Sequence, residues 1–274
     1  MVQKITFLTA GHCKQLEKAI NPKNGRWKHI NIPSSVAVIE HAKEGVLLFD
    51  TGYTPRFQEL TRHLPEKLYA MVTPVTVREE ETAVYQLKSR GIQVADVKNV
   101  VLSHFHADHV AGAIDFSAAK FVYSHEEYES FQRKSKLSQL LNAYLPALLP
   151  QDLRTRTRGY GAKAPIPRLG AGWSGYDFYG DGSMFVVPLP GHSIGHLGLY
   201  LPDVGGTEYL LIGDAAWLRS SITDNVMPIP LARLIFHESK EYKKTLGALH
   251  NLRSDIRVVP CHCHDTLTEI QNAL

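Results

Sequence analysis

The chain has 274 residues, 44% of them hydrophobic and 21% charged, with a formal net charge of +3. This is the composition of an ordinary globular protein that can bury a sizeable core. The charge is too small to imply nucleic acid as a partner, no basic helix or aromatic–basic repeat is present, and no segment approaches the roughly 20 apolar residues of a membrane span. Fourteen histidines are many for this length and hint at metal chemistry. The three cysteines, Cys13, Cys261 and Cys263, make no disulfide framework. Free thiols fit a reducing compartment, and Met1 to Ala10 lacks the apolar core of a signal peptide, so a cytoplasmic location is expected.

Lys4 to Thr9 reads as a first strand, followed by a polar loop through Asn21-Pro22-Lys23-Asn24-Gly25. Ser35 to Glu40 and Gly45 to Phe49 are two further strands joined by a Lys43-Glu44-Gly45 turn. The second ends in Asp50-Thr51-Gly52, where an acid and a glycine mark either a close backbone approach or a plain turn. Helices are expected over Pro55 to Leu64 and Arg78 to Ser89, the second closed by Gly91. Asn99 to Ser103 and Lys120 to Ser124 are strands, and His125-Glu126-Glu127 opens a helix with acids in its first turn. The alternation of strand and helix indicates an α/β layered fold.

Residues about 135–180 break that rhythm. Leu137, Leu140, Leu141, Tyr144, Leu145, Leu148 and Leu149 follow helical spacing interrupted by Pro146, and a glycine-rich loop carrying Arg154, Arg156, Arg158, Lys163 and Arg168 follows. The stretch reads as an insertion over one end of the sheet, serving as extra core, as a lid for an acyl chain or as a homodimer contact. Its arginines read as a solvated face rather than an anion site. Strands return at Met184 to Val187, His196 to Leu201, Glu208 to Ile212 and Ile256 to Pro260, with helices at Glu238 to Leu252 and from Thr266. No internal repeat or long linker divides the chain, so residues 1–274 read as one domain with an insertion.

The chemistry gathers at strand ends. Ser103-His104-Phe105-His106-Ala107-Asp108-His109 places four potential metal ligands within six residues, directly after the apolar run Val100-Val101-Leu102. Imidazole and carboxylate without cysteine suit zinc, iron or manganese and argue against a closed structural zinc site. Three later strand ends each add a His or Asp: Pro190-Gly191-His192, Gly213-Asp214, and Pro260-Cys261-His262-Cys263-His264-Asp265. Taken singly, His192 or Asp214 can serve a turn and His262 can be a satisfied buried histidine. Four strand ends repeating one pattern point instead to a single convergent site.

On these residues the chain resembles the metallo-β-lactamase-fold hydrolases, over nearly its whole length and including Asp50-Thr51-Gly52. The resemblance implies an αββα sandwich holding two divalent ions, zinc first among them, with iron or manganese as alternatives. His104, His106 and His192 would hold one ion; Asp108, His109 and His262 the other; Asp214 would bridge both. His264 competes with His262 for the last place. Such a pair of ions shares a hydroxide that attacks a carbonyl or phosphoryl centre, and Asp108 is the expected proton shuttle to the leaving group.

A finer resemblance is to the N-acyl homoserine lactonases, through Phe7-Leu8-Thr9-Ala10-Gly11-His12-Cys13, Leu47 to Gly52, Pro190 to His196 and Glu127-Tyr128-Glu129. It implies a small-molecule lactone or related ester as substrate. Such lactonases often carry a tyrosine soon after the bridging Asp, and Trp217 stands there instead. The alternatives are a thioesterase of glyoxalase II type, a phosphoester or organophosphate hydrolase, and a mono-iron sulfur dioxygenase.

Overall fold

A computed structural model describes residues 1–273. Its strands form two six-stranded sheets. The first contains β1 (Val2–Leu16), β2 (His29–His41), β3 (Gly45–Phe49), β4 (Val75–Thr76), β5 (Val97–Val101) and β6 (Lys120–Val122), in the order β4-β1-β2-β3-β5-β6. The second contains β7 (Ala162–Pro165), β8 (Ser174–Asp177), β9 (Phe185–Pro188), β10 (Leu197–Val204), β11 (Thr207–Gly213) and β12 (Arg257–Pro260), in the order β12-β11-β10-β9-β8-β7.

Period-two alternation sorts these strands into layers. Leu47 and Phe49 of β3 join Ala37, Ile39, Val101 and Val122 in a cluster that also contains Val186, Leu199, Leu201 and Leu211 of the other sheet. The intervening Leu48, with Val36, Val38, Val100 and Phe121, packs outward on Phe57, Leu87, Val110 and Phe131 from the flanking helices. On the far side, Val187, Tyr200, Leu210 and Ile212 meet Tyr242, Leu246 and Leu249 of the helix Ser239–His250. The order of layers is helix, sheet, sheet, helix: the expected αββα sandwich.

Most connections are antiparallel, but β3 pairs with β5 and β5 with β6 in parallel, as does β11 with β12. Parallel strands send their C-terminal ends to the same edge, and loops there are where α/β sheets build sites. Both sheets contribute such an edge, and the two lie together.

The 135–180 stretch divides in two. Ser135 caps the helix Lys136–Leu141, whose Leu137 and Leu141 stay exposed, while Tyr144, Leu145 and Leu148 beyond it are buried against the first sheet's helical layer. Ala162–Pro165 and Ser174–Asp177 are not loop but β7 and β8, the edge of the second sheet. Four-residue strands in which alanine, glycine, serine and proline are mixed with Lys163, Tyr176 and Asp177 carry no alternating hydrophobic signal, which hides them in the sequence. Arg156 and Arg158 stack over Phe121 and Phe178 respectively. They brace the layers rather than line an anion site.

The turn leaving β3 is tightly specified. Asp50 and Gly52 both have positive φ, 63° and 69°, and a Cβ on Gly52 would sit 2.2 Å from the Ala10 Cβ. Gly91 also has positive φ (79°) but faces open space. Gly52→Ala therefore combines backbone strain with a clash and is expected to cost about 3 kcal/mol or more. Gly91→Ala is expected to cost about 1 kcal/mol. Urea unfolding of the two variants measures the contrast, and equal losses would contradict it.

Candidate metal centre

Each element delivers its side chains through a short segment. After β5, Leu102 N donates to Val122 O and Ser103 begins the loop; His106 then caps the single-turn helix Ala107–Val110, which carries Asp108 and His109. His192 follows β9, Asp214 follows β11 and His262 follows β12. The structure brings all seven residues together in one buried cluster. His264 is not part of it: it is exposed and opens the helix His264–Ala273.

Asp214 organises the geometry. Its Oδ2 lies 3.1 Å from His192 Nε2 and 3.9 Å from His104 Nε2. Its Oδ1 lies 3.1 Å from His262 Nε2 and 3.3 Å from His109 Nε2. Each oxygen thus faces a different set of imidazoles. His106 Nδ1 is 3.1 Å from His192 Nε2 on the first side. On the second, Asp108 Oδ2 is 3.2 Å from His262 Nε2 and 3.5 Å from His109 Nε2. All seven are buried, and at 8% exposure Asp108 is the most accessible of them.

The cluster fits metal ions on its own chemistry. One donor atom each from His104, His106, His192 and Asp214 falls within 4.8 Å of the others, and so does one each from His109, Asp214, Cys261 and His262. His104 Nε2 and His109 Nε2 are buried without any hydrogen-bond partner. A buried polar atom left this way is costly unless a group other than the protein's own donors and acceptors satisfies it. Converging nitrogen and oxygen atoms with spare lone pairs are suited to a divalent cation.

The sequence matches the model of the metallo-beta-lactamase superfamily over residues 30–262. The chain belongs to that superfamily. It is 28% identical over 240 residues to an N-acyl homoserine lactonase of Azorhizobium caulinodans, covering 85% of this chain and 83% of that one. It is 27% identical over 186 residues to a probable metallo-hydrolase of Mycobacterium bovis, covering 65% of this chain and 56% of that relative's length. The fold is similar to that of a mutant of Bacillus thuringiensis AiiA solved with N-decanoyl-L-homoserine at its active site. The two superpose with a TM-score of 0.72 at 19% identity, over 98% of this chain and 96% of that one. Superfamily membership together with the His and Asp donor groups implies a centre for divalent metal ions.

Around these donors runs a shell of buried hydrogen bonds, which fix ring orientation and tautomer in metal sites. Asp50, whose role the sequence leaves open, accepts from Ser103 N (2.7 Å), Ser103 Oγ (2.9 Å) and His109 Nδ1 (2.7 Å). That turns His109 Nε2 into the cluster. His262 Nδ1 donates to Pro33 O at 2.7 Å. His196 Nε2 accepts from the Asp214 backbone N–H at 3.0 Å. Trp217 Nε1–H donates to Asp214 Oδ2 at 2.9 Å, while its ring packs edge-on to His192 and Phe236. The indole N–H is therefore spent inside the cluster.

Glu127 ties three segments together. It accepts from Phe105 N (3.1 Å), Ser193 Oγ (2.7 Å) and Tyr144 Oη (3.4 Å), joining the His104–His106 loop, the His192 loop and the 135–180 stretch. In the sequence it shows as an acid in a helix's first turn and as part of the Glu127-Tyr128-Glu129 segment similar to the lactonases, with no sign of its partners. Its partners are 17 to 66 residues away in sequence and carry no spacing signal.

Charge in the metal-free cluster is uneven. Burial, then the neighbouring His109, hold His104 well below its usual range, and burial pushes His106 down to about 3. Burial opposes charge on His109 too, but Asp108, Asp50 and Asp214 outweigh it and raise His109. Burial would raise Asp108, yet the imidazoles of His109 and His262 hold it below the usual carboxylate range. Protons on His109 and His262 thus supply the positive charge that the two carboxylates need, and a metal ion would displace them.

Burial pushes the Glu127 carboxyl up to about 7 from 4.5. Between those values the unfolded carboxyl ionises before the folded one, so native stability falls as pH rises, by up to about 3 kcal/mol above pH 7. Glu127→Gln removes that loss. Metal-free variant and parent are expected to diverge in the variant's favour between pH 5 and pH 8 in urea titrations. A stability difference flat over that range would refute the raised carboxyl.

Proposed function

We propose that this chain is a dinuclear, zinc-dependent lactonase that hydrolyses an N-acyl homoserine lactone or a related ester. The observation that carries the reading is the Asp214 carboxylate, with Oδ2 facing His104 and His192 and Oδ1 facing His109 and His262. A carboxylate presented to two separate donor sets is the arrangement of a bridging ligand. His104, His106 and His192 would hold one ion, and Asp108, His109 and His262 the other. Imidazole and carboxylate donors in threes suit zinc. A mono-iron dioxygenase would leave the second set without a purpose.

Bound divalent ions would supply Lewis acidity to the substrate carbonyl and a nucleophile at neutral pH. Asp108, the accessible member, takes the proton of the attacking water and returns it to the departing ring alkoxide. The ester C–O bond breaks, water adds across it, and the product is the ring-opened hydroxy acid. His109, held by Asp50, and His262, held by Pro33 O, keep Asp108 ionised and oriented for that exchange. A cleft of about 570 Å³ borders the cluster at His262, with Lys28, Ile30, Leu218 and Arg219 in its walls, and falls in the size range of small-molecule sites.

Trp217 gives a second reading its footing. With its N–H committed to Asp214, it does not replace the tyrosine hydroxyl expected of a lactonase, which leaves a thioester or phosphotriester as the second substrate reading.

Two experiments test these assignments. Proton release from an N-acyl homoserine lactone, a thioester and a phosphotriester is compared on zinc-reconstituted protein. The lactone is expected to react fastest, and no acid above the metal-free control would remove the lactonase reading. Metal analysis addresses the ligands. The parent and His264→Ala are expected to hold two ions per chain, whereas His262→Ala loses one and at least 100-fold in kcat/KM, about 2.7 kcal/mol. Two ions retained in His262→Ala would overturn that ligand set.

A further inference from the structure

Cys261 lies among the second set of donors with no role assigned to it. Its Sγ is 2.9 Å from Asp214 Oδ1, on the side of that carboxylate facing His109 and His262. Cys261 is buried, and its Sγ lies within 4.8 Å of donor atoms from His109, Asp214 and His262. An ion with ligands at about 2.0–2.3 Å reaches donors up to about 4.6 Å apart. A second, independent feature points into the same space: His109 Nε2 is fully buried and, although close to the Asp108 and Asp214 carboxylates, makes no hydrogen bond.

The other two thiols differ. Cys263 Sγ already accepts from Arg219 N and Thr266 Oγ1 at the start of the last helix. Cys13 lies in the middle of β1. Only Cys261 directs its sulfur at the carboxylate the two donor sets share. Its backbone is pinned there, because Cys261 N donates to Gly213 O beside Asp214 and Pro260 pairs with Gly213 across the β11–β12 ladder.

We propose that the Cys261 thiolate is a ligand of the second metal position, an inference that rests on the two-metal reading. On binding, the S–H bond gives its proton to solvent and a sulfur–metal bond forms. The thiolate adds a third negative charge to those of Asp108 and Asp214. As a soft donor it biases this position toward zinc or iron and away from magnesium or manganese. The two positions then differ in kind, one held by imidazoles and a carboxylate oxygen, the other with sulfur as well.

The alternative role for Cys261 is a hydrogen bond that merely orients Asp214. Cys261→Ser keeps an O–H donor in that place and separates the two. X-ray absorption at the zinc edge of the unmodified, zinc-loaded protein is expected to contain a sulfur shell at about 2.3 Å. Titration with cobalt(II) is expected to develop a near-ultraviolet sulfur-to-metal band that is kept in Cys263→Ser and lost in Cys261→Ser. The same serine variant should bind its second cobalt at least tenfold more weakly and its first unchanged. Two metals per chain with only nitrogen and oxygen neighbours, or a band that survives in Cys261→Ser, overturns the thiolate ligand alone. A single metal without sulfur overturns both it and the two-metal reading.

Discussion

A carboxylate buried between two sheets is the constraint on which this structure turns. Asp214 is removed from water at the end of β11, and a charge buried that deeply must be paired and hydrogen-bonded to persist. Its partners come from everywhere else: His104 and His109 from the first sheet, His192 and His262 from the second, the Cys261 thiol, and an indole N–H from Trp217. The αββα packing is what allows parallel strand ends from two separate sheets to face one another at this spot. Without that juxtaposition the same residues would be isolated loop histidines.

This arrangement couples folding to metal binding. In the metal-free cluster the carboxylates are compensated by protons on His109 and His262, while His104 and His106 are kept neutral by burial. Divalent cations held by these residues would replace those protons with a larger charge and would satisfy the nitrogen atoms that make no hydrogen bond. Supporting hydrogen bonds from Asp50, Pro33 and Glu127 prepare the donors beforehand, so that the ordering cost is met during folding rather than at binding.

Legibility in the sequence follows locality. His104 to His109 declare themselves because a loop and one helical turn put four donors into six residues. His192, Asp214 and His262 are individually ambiguous and become readable only because each closes a recognisable strand. The choice between His262 and His264 depends on where β12 ends and the last helix begins, and sequence patterns place such boundaries to within only a few residues. Asp50, Glu127, His196 and Cys261 act through another side chain or through a long-range contact, which no local period encodes. The layered fold was legible from alternating strands such as β3 and β11. The edge strands β7 and β8 were not, since small polar residues at a sheet edge bury too little to leave a pattern.

Trp217 shows where family likeness stops informing chemistry. The resemblance leads one to expect a tyrosine where Trp217 stands, and the indole N–H turns inward to Asp214. A residue that braces the Asp214 carboxylate cannot also hold a substrate oxygen with the same donor. Recognition must then fall to the walls around the cluster. Tyr144 packs on His106 with its hydroxyl directed to Glu127, Phe236 packs on His192, and the Lys28–Arg219 cleft adjoins His262. These walls come from the segments least constrained by the sheets, so substrate choice can change while the hydrolytic centre stays as it is.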